Sequence, residues 1–363
     1  MGKQIGVSIY PEHSTIKEIK AYLDLAAKYN VKKVFSCLLS VTKPVEEIKK
    51  EFKEINAYTV NLGMELMLDV SPRVFSTLGI SYDDLSFFSD ISATGIRLDM
   101  GFDGVVEAKM THNPYGLDIE INMSNDVAGI DNIMSYRPNT DRLIGCHNFY
   151  PQEYTGLRLS HFMSCSERFK KFNLKTSAFV SAPSAKIGPW PVMDGLVTLE
   201  MHRRLPLTAQ AKHLFATGLI DTVIIGNMYA SEEELKALSE IDPDIISLEV
   251  EFAPGTTELE KDIVLNSPHF NRGDINDYMI RSTMSRVVYK DRPFPIHDVS
   301  TLSKGDIIIG NDLFGQYKGE LQLCINDLPE DGRKNCVARI IDAEIFLIDY
   351  IKAWDRFKFI EKK

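Results

Sequence analysis

MELMLDVS (Met64 to Ser71) and GIRLDMG (Gly95 to Gly101) are apolar runs of strand length that end on polar residues. Six more runs share the pattern: IGVSIY (Ile5 to Tyr10), KVFSCLL (Lys33 to Leu39), DIEINMS (Asp118 to Ser124), LIGCHNFY (Leu143 to Tyr150), KTSAFVS (Lys175 to Ser181) and TVIIGNMY (Thr222 to Tyr229). They recur every 25 to 50 residues or so, and most are followed by an amphipathic helical pattern. Eight strand–helix units in series predict an α/β fold with a closed parallel (β/α)8 TIM barrel, whose chemistry sits where the strands end. The residues at those ends form the shortlist: Tyr10, Glu12, Ser36, Asp69, Ser71, Asp99, Asn122, His147, Asn148, Tyr150, Ser181 and Asn227.

Helix signals punctuate the units. Thr15 and Glu18 have capping-box spacing, as do Ser231 and Glu234. Pro44 opens one helix and Gly63 stops it. Ser81 with Asp84 is a weaker start signal. After about Pro243 the alternation ends and short strands follow: IISLEVEF, RSTMSRVVY, GDIIIGN, GELQLCIND and VARIIDAE, with a last stretch part helix, part strand. The reading is therefore a barrel domain over residues 1–243 and a small, mostly antiparallel β domain over 244–363.

Composition narrows the partners. A net charge of −10 argues against nucleic acid and anionic membranes. The opening MGKQIGVSIYPEH has no long apolar stretch, so the expectation is a cytoplasmic protein without a signal peptide. Five cysteines without CxxC spacing suit reduced thiols and no zinc site. Neither a Walker A loop nor a dinucleotide fingerprint is present, and no cofactor is expected. The absence of a lysine near the end of a barrel strand weighs against a Schiff-base aldolase. Oligomeric state is left open.

Strand alternation sorts the candidates, because every second residue faces the barrel interior. Asp69, Asp99 and Asn122 share one rim, with Glu65, Arg97 and Glu120 a layer lower. A charged layer inside a barrel has to be paired, and the expected pair is Arg97 with Glu120, joined by Glu65. Carboxylates on neighbouring strands couple their titrations, so one holds its proton near neutrality, as acid–base chemistry at a sugar requires. GCHNFYPQEYTGL (Gly145 to Leu157) adds His147, Asn148, Tyr150, Glu153 and Tyr154, aromatic and amide groups suited to a sugar. The helix start in GNMYASEEEL (Gly226 to Leu235) and Arg73, Arg203, Arg204, Arg272 and Arg281 are candidate phosphate ligands. The long stretch Ala182 to Pro206, with Trp190 between prolines, reads as a loop that covers the site.

IGVSIYPEH, MLDVSPRVF, GIRLDMGF, IEINMSN, CHNFYPQEYTGL and GDIIIGNDLFGQYKGELQLCINDLP together resemble the 6-phospho-N-acetylmuramidase (MupG) family. The resemblance runs over essentially the whole chain. It implies a barrel followed by a cyclophilin-like β domain. It also implies cytoplasmic hydrolysis of the β-1,4 bond between N-acetylmuramic acid 6-phosphate and N-acetylglucosamine during peptidoglycan recycling.

The expected catalytic residues are Asp69 and Asp99, with Glu153 and Glu12 as alternates. Tyr10, Glu12, Arg97, Asn122, His147, Asn148, Tyr150, Asn227 and Arg281 are the expected substrate contacts, and no resident metal is expected. Arg281 or His269 would bring the C-terminal domain to the substrate. The competing readings are a metal-dependent sugar-phosphate isomerase or lyase, with Asp69, Asp99 and His147 as ligands, and a non-enzymatic muropeptide or sugar-phosphate sensor.

Overall fold

The computed structural model describes residues 2–38, 44–125 and 127–362. The chain divides into two compact units, Met1–Glu240 and Ile241–Lys363.

The first unit is a closed, all-parallel barrel of eight strands in sequential order. Its elements run β1 (Gln4–Ile9), α1 (Ile16–Lys28), β2 (Lys33–Cys37), α2 (Val45–Asn61), β3 (Glu65–Val70), α3 (Pro72–Leu78), α4 (Ser86–Asp90) and β4 (Gly95–Leu98). They continue with α5 (Val105–Met110), β5 (Asp118–Asn122), α6 (Gly129–Ser135), β6 (Leu143–Cys146), α7 (Leu159–Lys170), β7 (Lys175–Val180), α8 (Leu207–Ala216), β8 (Thr222–Ile225) and α9 (Glu232–Ser239). β8 closes the ring on β1, with Ile224 opposite Gly6. The strands are near-continuously buried because helices cover them outside and side chains fill them inside. Leu39, where the sequence reading ends the second run, lies outside the described residues.

Local signals explain the helix ends. Thr15 and Glu18 form a reciprocal capping box on α1, and Ser231 and Glu234 do so on α9. Ser81 and Asp84 instead make a turn; the Asp84 carboxylate accepts from the Ser86 N–H, and α4 starts there. Gly145 admits no side chain, since a Cβ would sit 2.5 Å from the ring of Phe169, which packs α7 against β6.

One register row matters for function. Cys37 pairs with Asp69, Asp69 with Arg97, and Arg97 with Glu120 across β2, β3, β4 and β5. Barrel strands tilt by about 36° to the axis, so such a row changes depth as it goes round. Its charged members therefore stack along the barrel axis.

The second unit is a seven-stranded, nearly closed sheet in the order β10-β15-β9-β14-β12-β13-β11. Its elements are β9 (Ile246–Phe252), α10 (Glu258–Asn266), β10 (His269–Phe270), β11 (Met279–Ser282), α11 (Met284–Val288), β12 (Asp306–Gly310), β13 (Leu321–Cys324), β14 (Lys334–Ile340) and β15 (Arg356–Glu361). Among the described residues, β9 and β15 pair in parallel and the other pairings of this sheet are antiparallel. Its core gathers Leu248, Val250, Phe294, Ile307, Leu323, Phe357 and Phe359. The expected strand RSTMSRVVY is a strand only to Ser282. Beyond it the chain turns into α11 and leaves Met284, Val287 and Val288 exposed.

Candidate active site

The barrel's carboxyl-terminal mouth holds a pocket of about 170 Å3 lined by Cys37, Asp69, Arg97, Asp99, Asn148, Phe149 and Trp190. Arg97 organises it. Its Nη1 donates to Asp69 Oδ1 at 2.6 Å and reaches Asp99 Oδ1 at 3.4 Å, and its Nη2 donates to Asn148 Oδ1. Asn148 is itself fixed: its N–H donates to Ser124 Oγ at 2.7 Å and its carbonyl accepts from Thr198 Oγ1 at 2.8 Å. Phe149 stands edge-on to Phe35 and Phe179, which gives the pocket an aromatic floor. Trp190 arrives from the long loop after β7 and remains 38% exposed.

The two aspartates differ in setting. Asp69 is buried, whereas the Asp99 side chain is 36% exposed. Burial pushes the Asp69 carboxyl up to about 6; Arg97 opposes the shift, and the charges of Asp99 and Glu120 add to it. The two carboxylate oxygens can be no further apart than the sum of their distances to the shared nitrogen.

Beneath them the expected Arg97–Glu120 ion pair is present, but it is long and Glu120 has a second cation. Glu120 takes its hydrogen bond from Lys33, an inward lysine at the start of β2 that sequence reasoning missed. Arg97 Nε lies 3.9 Å from Glu120 Oε1, and neither atom makes a hydrogen bond among the described residues. Arg97 is thus committed upward to Asp69, and Glu65 is not its partner. Instead Glu65 lines a small pocket at the opposite end of the barrel, together with Lys33, Lys175 and Asp221.

Several expected contacts are placed elsewhere. His147 is buried and turned outward: it stacks on Phe162, with Nδ1 3.2 Å from Ser124 Oγ and Nε2 2.9 Å from Ser166 Oγ. Burial holds its pKa down at about 3. The ligand set Asp69, Asp99 and His147 is therefore not assembled at the mouth. Tyr10 is buried and its hydroxyl donates to the Gly226 carbonyl, so it ties β1 to β8. Asn227 is spent on the backbone of the loop after β7, at Ala182 and Ala185. Asn122 donates to the Asp99 carbonyl and accepts from the Ser124 N–H, which braces the Asp99 segment.

Tyr150 is half-buried, with its backbone bridged to Val197 and clamped by Arg203. Glu12 is half-buried in the turn Pro11–His13. Glu153 is outside the Asp69 pocket and bound to Arg204. Arg281 belongs to the second unit, where Glu320 takes its guanidinium at two atoms and Tyr317 lies against it. His269 is buried there between Ser282 and the Val264 carbonyl.

A second, wider cleft of about 610 Å3 lies beyond β7 and β8, lined by Lys186, Asp194, Arg203, Arg204 and Asn227 among others. Arg203 is consumed by Glu200 and by the carbonyls of Tyr150, Gln152, Asp194 and Gly195, so it pins the two loops together. Lys186 and Arg204 are its cations with exposed side chains. Among the described residues, no group of three or more His, Cys, Asp or Glu is gathered for a metal.

The fold defines a class, the (β/α)8 barrels, and the mouth of this one couples two carboxyl groups through one arginine. The particular family follows from comparison. Residues 5–240 match the 6-phospho-N-acetylmuramidase N-terminal model and residues 246–360 the C-terminal model, so the chain belongs to that glycosidase family. Among solved structures, an uncharacterized B. cereus protein is 50% identical, with a TM-score of 0.93 over 99% of this chain and 100% of that one. A conserved Enterococcus faecalis protein of unknown function is 25% identical, with a TM-score of 0.74 over 99% of this chain and 96% of that one. No curated protein matches in the sequence comparison.

Proposed function

We propose that the protein hydrolyses the β-1,4 bond between N-acetylmuramic acid 6-phosphate and N-acetylglucosamine, in the cytoplasm, on fragments recovered from peptidoglycan. The observation that carries this reading is the Asp69–Arg97–Asp99 bridge in the mouth pocket. Asp69, with its pKa raised to about 6, gives its proton to the leaving glycosidic oxygen. Asp99, closer to solvent, faces the charge that develops at the anomeric carbon. Arg97 keeps the pair together, and its positive charge opposes the upward shift of Asp69.

The separation supports retention of configuration. Inverting pairs stand about 6.5 to 9.5 Å apart to admit a water, whereas retaining pairs are near 5 to 5.5 Å. The shared Arg97 nitrogen, 2.6 Å from Asp69 Oδ1 and 3.4 Å from Asp99 Oδ1, favours the shorter spacing. The muramyl sugar carries a 2-acetamido group whose carbonyl oxygen can attack its own anomeric carbon. In that route Asp99 steadies the acetamide N–H; water then attacks the anomeric carbon from the face that the leaving group vacated and gives its proton to the Asp69 carboxylate, which breaks the bond to the acetamido oxygen. Phe149 and Trp190 offer ring faces to the sugars, and Asn148 an amide. The 6-phosphate goes to the cleft of Lys186 and Arg204, beyond the strands where barrels often hold phosphate.

Incubation with the phosphorylated disaccharide and with its unphosphorylated twin, followed by mass spectrometry, tests the reading. Cleavage of the phosphorylated form alone is expected. Cleavage of neither by folded protein would refute it. NMR of the first-formed sugar should show the β anomer, and an initial α anomer would refute retention.

A further inference from the structure

The reaction uses Asp69, Asp99 and Arg97, yet two further charged side chains are sealed inside the same barrel. Lys33 and Glu120 have side chains 3% and 0% exposed. Burying such a pair costs free energy that a well-packed apolar pair would avoid, so its presence asks for a reason. Lys33 Nζ bonds Glu120, with Ser177 Oγ 3.4 Å away as a further contact. Glu120 lies below Arg97 and faces its Nε at 3.9 Å. Asp69, Asp99 and Asn148 engage the guanidinium from the other side. Arg97 therefore stands between two sets of acceptors, and Lys33 engages only the lower one.

We propose that Lys33 is a positioning residue for the reaction: by holding Glu120 at the barrel floor, it leaves the Arg97 guanidinium to Asp69, Asp99 and Asn148. This rests on the reading of Asp69 as the acid. With all groups ionised, the cluster carries Lys33 and Arg97 against Glu120, Asp69 and Asp99, an excess of one negative charge. Without Lys33 the excess becomes two, and Glu120 competes for Arg97. Both changes favour the proton on Asp69. The other groups around Asp69 are Cys37 on β2, 3.9 Å from Oδ2, and Tyr10 on β1. Those around Lys33 are Cys146 on β6 and Glu65 on β3.

The test is the pH profile of kcat for the 6-phosphorylated disaccharide in Lys33→Met. The alkaline limb should move up by about one pH unit, the order expected for one buried charge at this range. kcat at the optimum should fall about tenfold with KM within about twofold, as for a misplaced catalytic group. Lys33→Arg should restore both. Glu120→Gln, which removes a negative charge, should move the limb down, and Lys33→Met/Glu120→Gln should return it near the wild-type position. A limb unmoved in Lys33→Met would overturn the proposal; if that variant does not fold, an unmoved limb in Glu120→Gln overturns it. Asp69→Asn separates the two ideas. A limb that survives there with measurable turnover belongs to another group, and the reading of Asp69 falls together with what rests on it.

Discussion

Each unit of this protein buries one glutamate between two cations, and the two do opposite things. In the barrel, Glu120 lies between Lys33 and Arg97; in the second unit, Glu320 lies between Arg281 and Arg286. Glu320 is saturated: Arg281 meets it at 2.7 and 3.1 Å, Arg286 at 2.8 Å and the Gln322 amide at 3.0 Å. Two cations serve one carboxylate there, and the cluster is a brace. In the barrel, two cations serve three carboxylates once Asp69 and Asp99 are counted. Asp69 is pushed up there chiefly by its burial, with the charges of Asp99 and Glu120 adding to it against Arg97. Two buried carboxylates thus differ in how fully the partners around them offset their burial.

The largest effect expected from this contrast is at Asp69. Asp69→Asn should lower kcat about 10³-fold, within the usual span for general acid catalysis, with the thermal midpoint little changed. Glu320→Ala should do the reverse. Removing the carboxylate from a buried, paired cluster costs about 3 to 5 kcal/mol of stability, while kcat of the folded fraction should stay near wild type. Denaturant titration and initial rates on both variants decide the matter. A Glu320→Ala protein that is folded but inactive would break the comparison, because the second unit would then belong to the chemistry.

The pH dependence sharpens the same point. Asp69 must be protonated to act as the acid, and its pKa is raised to about 6. Activity should hold below that value and fall about tenfold per unit above it. His147, held near 3, is neutral throughout and contributes no limb in this range. A rate flat from pH 5 to pH 8 would remove Asp69 from the role. Trp190→Ala is expected to be milder, raising KM by up to about tenfold with kcat nearly kept, since one stacking face is worth about 0.5 to 1.5 kcal/mol. A kcat loss larger than the KM change would place Trp190 in the transition state instead.

Much of this was legible in the sequence, and the gaps have physical causes. Eight apolar runs with helix caps between them prescribe the barrel because each local signal agrees with the closed sheet. Asp69, Arg97 and Asp99 could be read because strand parity extends to the ends of β3 and β4. Lys33 was missed because the rule that looks for chemistry at strand ends ignores the start of β2, where a long side chain can still reach across the interior to Glu120. Glu153 misled because it lies seven residues past β6, beyond the reach of any strand register, and there a loop arginine decides its partner. Arg281 has the opposite history: its sequence shows a free cation, and only the fold brings Glu320 beside it.

His147 carries the smallest expected effect and the clearest lesson in register. Cys146 faces the interior, where it feels the charges of Glu120, Arg97 and Lys33. Alternation then turns His147 outward and Asn148 inward, so the parity rule that singled out Asp69 also separates these neighbours. His147→Leu removes hydrogen bonds to Ser124 and Ser166 and should cost about 1 to 3 kcal/mol of stability. Ser124 Oγ also receives the Asn148 N–H, so a slight loosening of Asn148 should lower kcat about twofold at most, with KM unchanged. A tenfold rise in KM without loss of stability would mean that His147 reaches the sugar after all, and that the strand register stops governing side chains one residue past β6.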